Sequence, residues 1–208
     1  MASAGAASGQ TQSYKGLRGW LDTVDKLGEL ERVNGAHWDV EMGAITQMLT
    51  EKSRGQAPAI LFDDAPGYPH GYRTLYGQLS SIKRIALTLG LPLDYDRKVD
   101  IVQRYHARMH KMNALPPRYV NDGPIFENVI EGDKIDVLKF PVPRHHEADK
   151  ARFIGTACCV MTKDPDIGWY NLGAYRSQVY DGKTVGCQIT EGKPAAFIAT
   201  NTLSAASR

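Results

Sequence analysis

The stretch that most constrains this chain runs from residue 152 to residue 193, where strand and turn signals alternate. Residues 153–162 are rich in Cys, Val, Ile and Thr, which predicts a strand buried on both faces. Lys163-Asp164-Pro165-Asp166-Ile167-Gly168 is a turn cluster punctuated by Pro165 and Gly168. Residues 169–180 read as a second strand, Asp181-Gly182 as a tight turn, and residues 185–190 as a third short strand. The pattern is a β-meander, which puts Asn171, Arg176 and Gln188 on neighbouring strands rather than on loops. One cation, Arg176, stands inside this apolar ladder. A buried guanidinium is costly unless a carboxylate or phosphate pairs with it. Arg176 therefore has two readings. It is an edge-strand residue directed to solvent, or it belongs to an anion site in which Asn171 offers an amide oxygen and Arg176 a fork of donors.

Upstream, helix and strand text alternates. Leu17, Trp20, Leu21, Val24 and Leu27 recur at helical spacing, and Gly28 stands at a C-cap position. Residues 30–33 form a short strand candidate. Asp39 is the expected cap of a second helix burying Val40, Ile45, Met48 and Leu49. A strand over residues 59–62 and a Pro- and Gly-rich loop over 63–72 follow. Ser80 or Ser81 caps a helix over 82–89, which Gly90 ends and Pro92 prevents from continuing. This alternation predicts an α/β unit. Residues 94–112 read as a basic amphipathic helix packing through Val99, Val102, Tyr105 and Met109. Its His106 and His110 stand four apart, but no acidic residue completes a HExxH-type motif, so the pair reads as a solvated face. A Pro- and Gly-bearing connection over 113–123 marks a domain boundary. Residues 125–130 and 135–140 read as strands, which with the meander makes five and nothing helical, the beginning of an antiparallel barrel. Arg144-His145-His146-Glu147 is too tightly spaced for a tetrahedral zinc site and reads as a surface turn.

Charge and cysteine usage narrow the partners. With 25 basic and 23 acidic residues the chain is nearly neutral, so neither nucleic acid nor an acidic membrane is expected. Cys158, Cys159 and Cys187 show no metal or disulfide spacing, which fits a reducing cytoplasm. The first residues, MASAGAASGQTQ, lack a basic region and an apolar core and read as a disordered tail. No apolar run is long enough for a transmembrane helix.

The segment from Pro141 to Gly186 resembles the signature region of the UbiD-type decarboxylases. Phe140-Pro141-Val142-Pro143, Gly155-Thr156, Lys163-Asp164-Pro165-Asp166 and the run from Asn171 to Arg176 match the family pattern in order. Segments 17–30, 58–62, 67–69 and 85–91 resemble the family's first domain. The resemblance implies an α+β protein: a disordered tail over 1–13, an α/β domain over 14–115, and the first half of a split β-barrel, flavin-reductase-like, over 116–193. It also implies a non-oxidative, reversible decarboxylase of an aromatic or α,β-unsaturated acid. The implied cofactor is prenylated FMN supplied by a flavin prenyltransferase, with a divalent metal (Mn or Mg) and a monovalent cation as a further candidate. Asn171 corresponds to a metal ligand. Ala174, Tyr175, Arg176, Gln188, Ile189, Thr190 and Lys193 correspond to cofactor contacts, and Arg176 also to the catalytic arginine that orients the substrate carboxylate. A homo-oligomer is expected.

The resemblance breaks after Lys193. The family continues with a metal-binding His, whereas position 194 is Pro and residues 194–208 are rich in Ala, Ser and Thr. One permitted codon choice for residues 192–208, with a single base inserted at codon 194, reads Gly-Lys-His-Gly-Arg-Ile-His-Arg-Asp-Lys-Tyr-Leu-Glu-Arg-Gly-Glu-Pro, which is family-like. The expectation is therefore a frameshifted tail, with a short natural paralogue as the rival. The family's later glutamates are not among these residues, so the chain alone is expected to be inactive, or to be a binding or oligomer-forming module.

Overall fold

A computed structural model describes residues 14–54, 56–113, 115–116 and 118–206; the tail expected over 1–13 lies outside the described residues. The chain divides into two units. One holds the residues up to Ala36 with Ile45–Ala65 and Arg73–Val129, the other His37–Ala44, Pro66–Tyr72 and the residues from Ile130 on. The boundary expected at 115/116 thus falls at Val129, and two earlier segments join the second unit.

In the first unit, α1 (Gly16–Lys26) leads through Gly28, at φ +67°, into β1 (Leu30–Asn34). This left-handed conformation suits Gly because it has no Cβ. Helix α2 (Glu41–Lys52) follows, then β2 (Ala59–Asp63), parallel to β1, and β3 (Thr74–Tyr76), antiparallel to β2. Residues 59–62 of β2 are buried without alternation, as a central strand covered on both faces requires. Trp20 and Val24 of α1, Leu30, Leu61 and Leu87 form one core cluster, and the Trp20 indole donates to Thr88 Oγ1 at 3.0 Å.

Ser81 accepts the Arg84 N–H and caps α3 (Ile82–Thr88), settling the choice between Ser80 and Ser81. Glu29 and Arg84 meet beneath this cap. Arg84 is wholly buried; Nη1 donates to a Glu29 carboxylate oxygen at 2.6 Å, Nη2 to the Ala57 and Gly77 carbonyls, and Nε to Gln78. Ser81 Oγ donates to the same Glu29 carboxylate at 2.6 Å. The sequence reading gave Arg84 no role.

Three expectations fail in the helices. Met42 and Gly43 are the buried residues of α2, while Met48 is 69% exposed. The carboxylate of Asp39, expected as the α2 cap, instead accepts from Arg144 Nε within the second unit. Helix α4 (Lys98–Met109) buries only Ile101, and Val99, Val102 and Met109 are exposed. Its periodicity is helical, but the face it implied meets no partner among the described residues.

In the second unit the expected strands over 125–130 and 135–140 are absent. Pro124–Phe126, Gly132–Lys134 and Val137–Lys139 form 3₁₀ turns instead. Pro124 and Pro141 cannot donate to a ladder, Gly132 adopts φ +59°, and the Asp136 carboxylate accepts the Leu138 N–H. The meander itself is present as β4 (Arg152–Lys163), β5 (Tyr170–Val179) and β6 (Val185–Cys187), all antiparallel, but β6 ends at Cys187 rather than 190, so Gln188 follows the strand instead of standing on it. It makes no closed barrel among the described residues. Strand β4 is not buried on both faces, because Ile154 and Met161 are exposed.

Both turns are built as their residues dictate. The Asp181 carboxylate accepts the Lys183 and Thr184 N–H groups, and the Asp164 carboxylate accepts those of Asp166 and Ile167. The residues from 194 onward form α5 (Pro194–Ala206), which packs on β4 and β5 with Ala195 and Ile198 buried. Asn201 of α5 donates to Asp164 at 3.1 Å.

The Ile167 N–H, with those of Asp166 and the Asn201 amide, holds the Asp164 carboxyl below its ordinary 3.8 against the opposing pull of burial. A depressed folded value stabilises fully above the ordinary value and is lost as pH falls through the folded one. Acid titration by NMR should therefore show the Asn201 side-chain amide shifting with an apparent pKa below 3.8. A midpoint at or above that value would refute the contact.

Candidate functional site

The second face of the meander carries the candidate site. Alternation along β5 turns Asn171, Tyr175, Ser177 and Val179 inward and Tyr170, Leu172, Ala174 and Arg176 outward. Asn171 and Arg176, read as two halves of one anion site, thus stand on opposite faces of the same strand. An odd spacing in a regular strand permits nothing else.

Arg176 is exposed at the edge of a pocket of about 450 Å³ lined by Phe153, Gln178, Tyr180, Gly186, Cys187 and Gln188. Its Nη2 donates to Gln188 Oε1 at 3.0 Å, and its guanidinium lies 5.3 Å from the Phe153 ring centroid. Register explains both contacts. The Gln188 N–H donates to the Arg176 carbonyl, and Phe153 is paired with Gln178 beside a β4 bulge. Phe153 in turn stacks on His145 with an 18° interplanar angle. Burial, aided by His146 and opposed by Asp149, pushes His145 below its ordinary 6.5, which favours the uncharged ring. Arg176 makes no ion pair among the described residues, so its charge remains available to an anion.

The other site residues are placed as follows. Ala174 shares the Arg176 face without lining the pocket. Tyr175 and Asn171 are buried on the opposite face, where the Asn171 amide donates to Thr162 Oγ1 at 3.3 Å. Ile189, Thr190 and Lys193 lie in the connection from β6 to α5, where the Lys193 N–H donates to the Thr190 carbonyl. The structure therefore brings Arg176 and Gln188 together and leaves the rest apart. Sequence reasoning missed Phe153 and Tyr180 as pocket walls. Strand pairing was the available signal, since both stand beside residues that pair across the meander.

A second anchor holds the start of β4. Arg152 lies 3.9 Å from the Trp38 ring centroid and donates to the Val142 carbonyl and the Tyr68 hydroxyl, each at 2.7 Å. Arg144, tied to Asp39, also donates to the carbonyls of His146 and Glu147, so the Arg-His-His-Glu run is an organised turn, as its spacing implied.

As chemistry, the pocket offers a fork of donors, a neutral amide and two aromatic walls. That set suits the carboxylate or phosphate of a planar molecule. No carboxylic acid lines it. Asn171 and Thr162 are neutral oxygen donors, and a hard dication is held by anionic oxygens as well, so these two do not hold one by themselves.

Comparisons with known proteins place this fold in a class. Residues 21–105 match the family described as 3-octaprenyl-4-hydroxybenzoate carboxy-lyase N-terminal domain, and residues 118–206 the Rift-related domain of the same carboxy-lyase. The second match runs through α5, so the likeness to the family continues past Lys193, where the sequence reading had ended it. A pyrrole-2-carboxylic acid decarboxylase from Pseudomonas aeruginosa is 33% identical over 179 residues, 81% of this chain and 35% of that protein. A phenolic acid decarboxylase from Streptomyces is 30% identical over 172 residues, 80% of this chain and 35% of that protein. Among solved structures, the vanillic acid decarboxylase of Sedimentibacter hydroxybenzoicus in open form has a TM-score of 0.77 at 28% identity, covering 94% of this chain and 40% of that one. The UbiD-class enzyme HmfF from Pelotomaculum thermopropionicum, in complex with FMN, has a TM-score of 0.74 at 25% identity, covering 91% and 40%. The chain belongs to the UbiD family of carboxy-lyases and corresponds to its N-terminal portion, with an α+β fold. It spans about a third of the length of the curated relatives it matches. No helix among the described residues is long and apolar enough to cross a membrane.

Proposed function

We propose that this chain supplies the N-terminal part of a carboxy-lyase that acts reversibly on an aromatic or α,β-unsaturated acid with prenylated FMN. The observation that carries the reading is the Arg176 guanidinium, free of any carboxylate among the described residues and held by Gln188 over Phe153. Relatives named for pyrrole-2-carboxylic, phenolic and vanillic acids point to a planar acid, and a related UbiD-class structure is a complex with prFMN. When bound, prenylated FMN supplies the electron sink for the charge left by departing carbon dioxide.

The chain's own residues bind and orient. Arg176 receives the anion, Gln188 fixes the guanidinium, and Ala174 leaves room for a ring on the same face. Tyr175 anchors β5 from beneath, while Ile189, Thr190 and Lys193 would contact the cofactor from the connection to α5. Asn171 would contribute one oxygen to an Mn or Mg site, which would need anionic ligands beside it. Because no acid lines the Arg176 pocket, proton delivery needs a group from elsewhere, and the 208 residues alone do not turn over. A flavin prenyltransferase supplies the cofactor in the cytoplasm, and the working enzyme is a homo-oligomer. A shifted reading frame at codon 194 is a further part of this proposal, resting only on the residue content after Lys193; an uninterrupted frame encoding this tail in independent isolates would refute it.

The second reading is a non-catalytic binding or oligomer-forming module. The exposed apolar face of Met161 and Leu172 favours it. Gel filtration after addition of prenylated FMN, followed by a decarboxylation assay of the frame-restored protein on a panel of aromatic acids, separates the two. The enzyme reading expects a visible flavin band co-eluting with the frame-restored protein and carbon dioxide release from at least one acid. Oligomers without flavin or turnover in either protein would leave the module reading standing.

A further inference from the structure

The reaction proposed above makes no use of the end of α4. There His106 and His110, one helical turn apart and both exposed, bring their Nε2 atoms to 3.0 Å, with ring centroids at 4.3 Å and planes at 75°. A hydrogen bond between the rings and a shared metal ion both produce a short nitrogen–nitrogen distance. A head-on N–H···N bond, with both ring axes in line, would hold the centroids roughly 1 Å further apart. In the ion-free chain the two nitrogens share a hydrogen bond, and they already stand within the span of a single metal ion.

Affinity order rather than bond length selects the ion. Imidazole nitrogens bind metals at about 2.0–2.1 Å, so two ligands at a right angle stand about 3.0 Å apart and two at a tetrahedral angle about 3.4 Å. The 3.0 Å separation is within reach of either arrangement, and the ordinary affinity order of imidazole sites favours Cu(II) over Ni(II) and Zn(II). The neighbouring cations do not block the position. Arg108 Nη1 is turned to the Leu89 and Gly90 carbonyls at 2.9 and 2.7 Å, and Arg104 and Lys111 are exposed, where solvent and salt screen them.

We propose that His106 and His110 form a two-imidazole chelate for a divalent transition metal of the copper or nickel class, clamping the last turn of α4. His110 is itself the C-cap of that helix, so a bound ion ties the fraying end to the turn before it. This site is separate from the flavin and Asn171 assignments and stands or falls without them.

The test is titration of the full chain with Cu(II), read by calorimetry and electron paramagnetic resonance, with Ni(II) and Zn(II) compared. One Cu(II) per chain is expected at this site, with hyperfine coupling to two equatorial imidazole nitrogens and slower hydrogen exchange in the last turn of α4. His106→Gln and His110→Gln should each weaken binding by about a hundredfold, because the second bond of a chelate forms within the molecule. His146→Gln, in an exposed turn of the other unit, should leave it unchanged. Coupling to a single nitrogen, or single variants that bind as tightly as the parent chain, would overturn the proposal.

Discussion

Replacing Arg84 by Ala is expected to remove about 3–5 kcal/mol of stability from the first unit, the loss typical when one partner of a buried ion pair is deleted. Arg84 is fully buried and bridges three stretches of chain: Glu29 before β1, Ala57 before β2, and Gly77-Gln78 after β3. Its removal leaves the largely buried Glu29 carboxylate and two or more carbonyls without their donor, and an unpaired buried group costs more than a made hydrogen bond contributes. The double variant Arg84→Met with Glu29→Leu should recover much of the loss, since it removes the stranded charge as well. Urea denaturation gives the comparison, with a lower midpoint at unchanged slope as the signature. An Arg84→Ala midpoint equal to that of the parent chain would show that this network holds nothing together.

The second large effect concerns Arg176 in the frame-restored enzyme. Arg176→Ala should lower kcat/KM by a factor of tens to hundreds, roughly 2–4 kcal/mol, through loss of a charge-assisted contact to the substrate carboxylate. The flavin should stay partly bound, because the proposed function gives it further contacts through Gln188, Ile189, Thr190 and Lys193. Arg176→Lys should rescue little, since an ammonium cannot present the planar fork that Gln188 holds in place. Turnover and flavin absorbance measured on the same samples separate the two roles. Parent-level turnover in Arg176→Ala would end the assignment.

Much of this was legible in the residues. The meander, its two Asp-built turns, the Gly28 end of α1 and the Ser81 cap of α3 came from chemistry acting within a few residues, so the sequence carries the whole cause. The opposite facing of Asn171 and Arg176 was also legible, because a spacing of five in a strand reverses the face. Expecting one site overlooked that. The strands expected over 125–140 failed for a different reason: β-branched content favours a strand only where a neighbour can pair with it, and among the described residues these segments enter no sheet.

What the sequence by itself determined is the family, the strand and helix periods, and the local turns and caps. Only the tertiary structure decided which apolar face is covered, where each cation finds its partner, and which site residues meet. Arg84 and Glu29 lie 55 residues apart, and Arg144 and Asp39 lie 105 apart. Pairings at such separations depend on the path of the whole backbone, which no window of sequence contains. The same holds for α4, whose apolar stripe reads as a packing face until the fold leaves it in solvent.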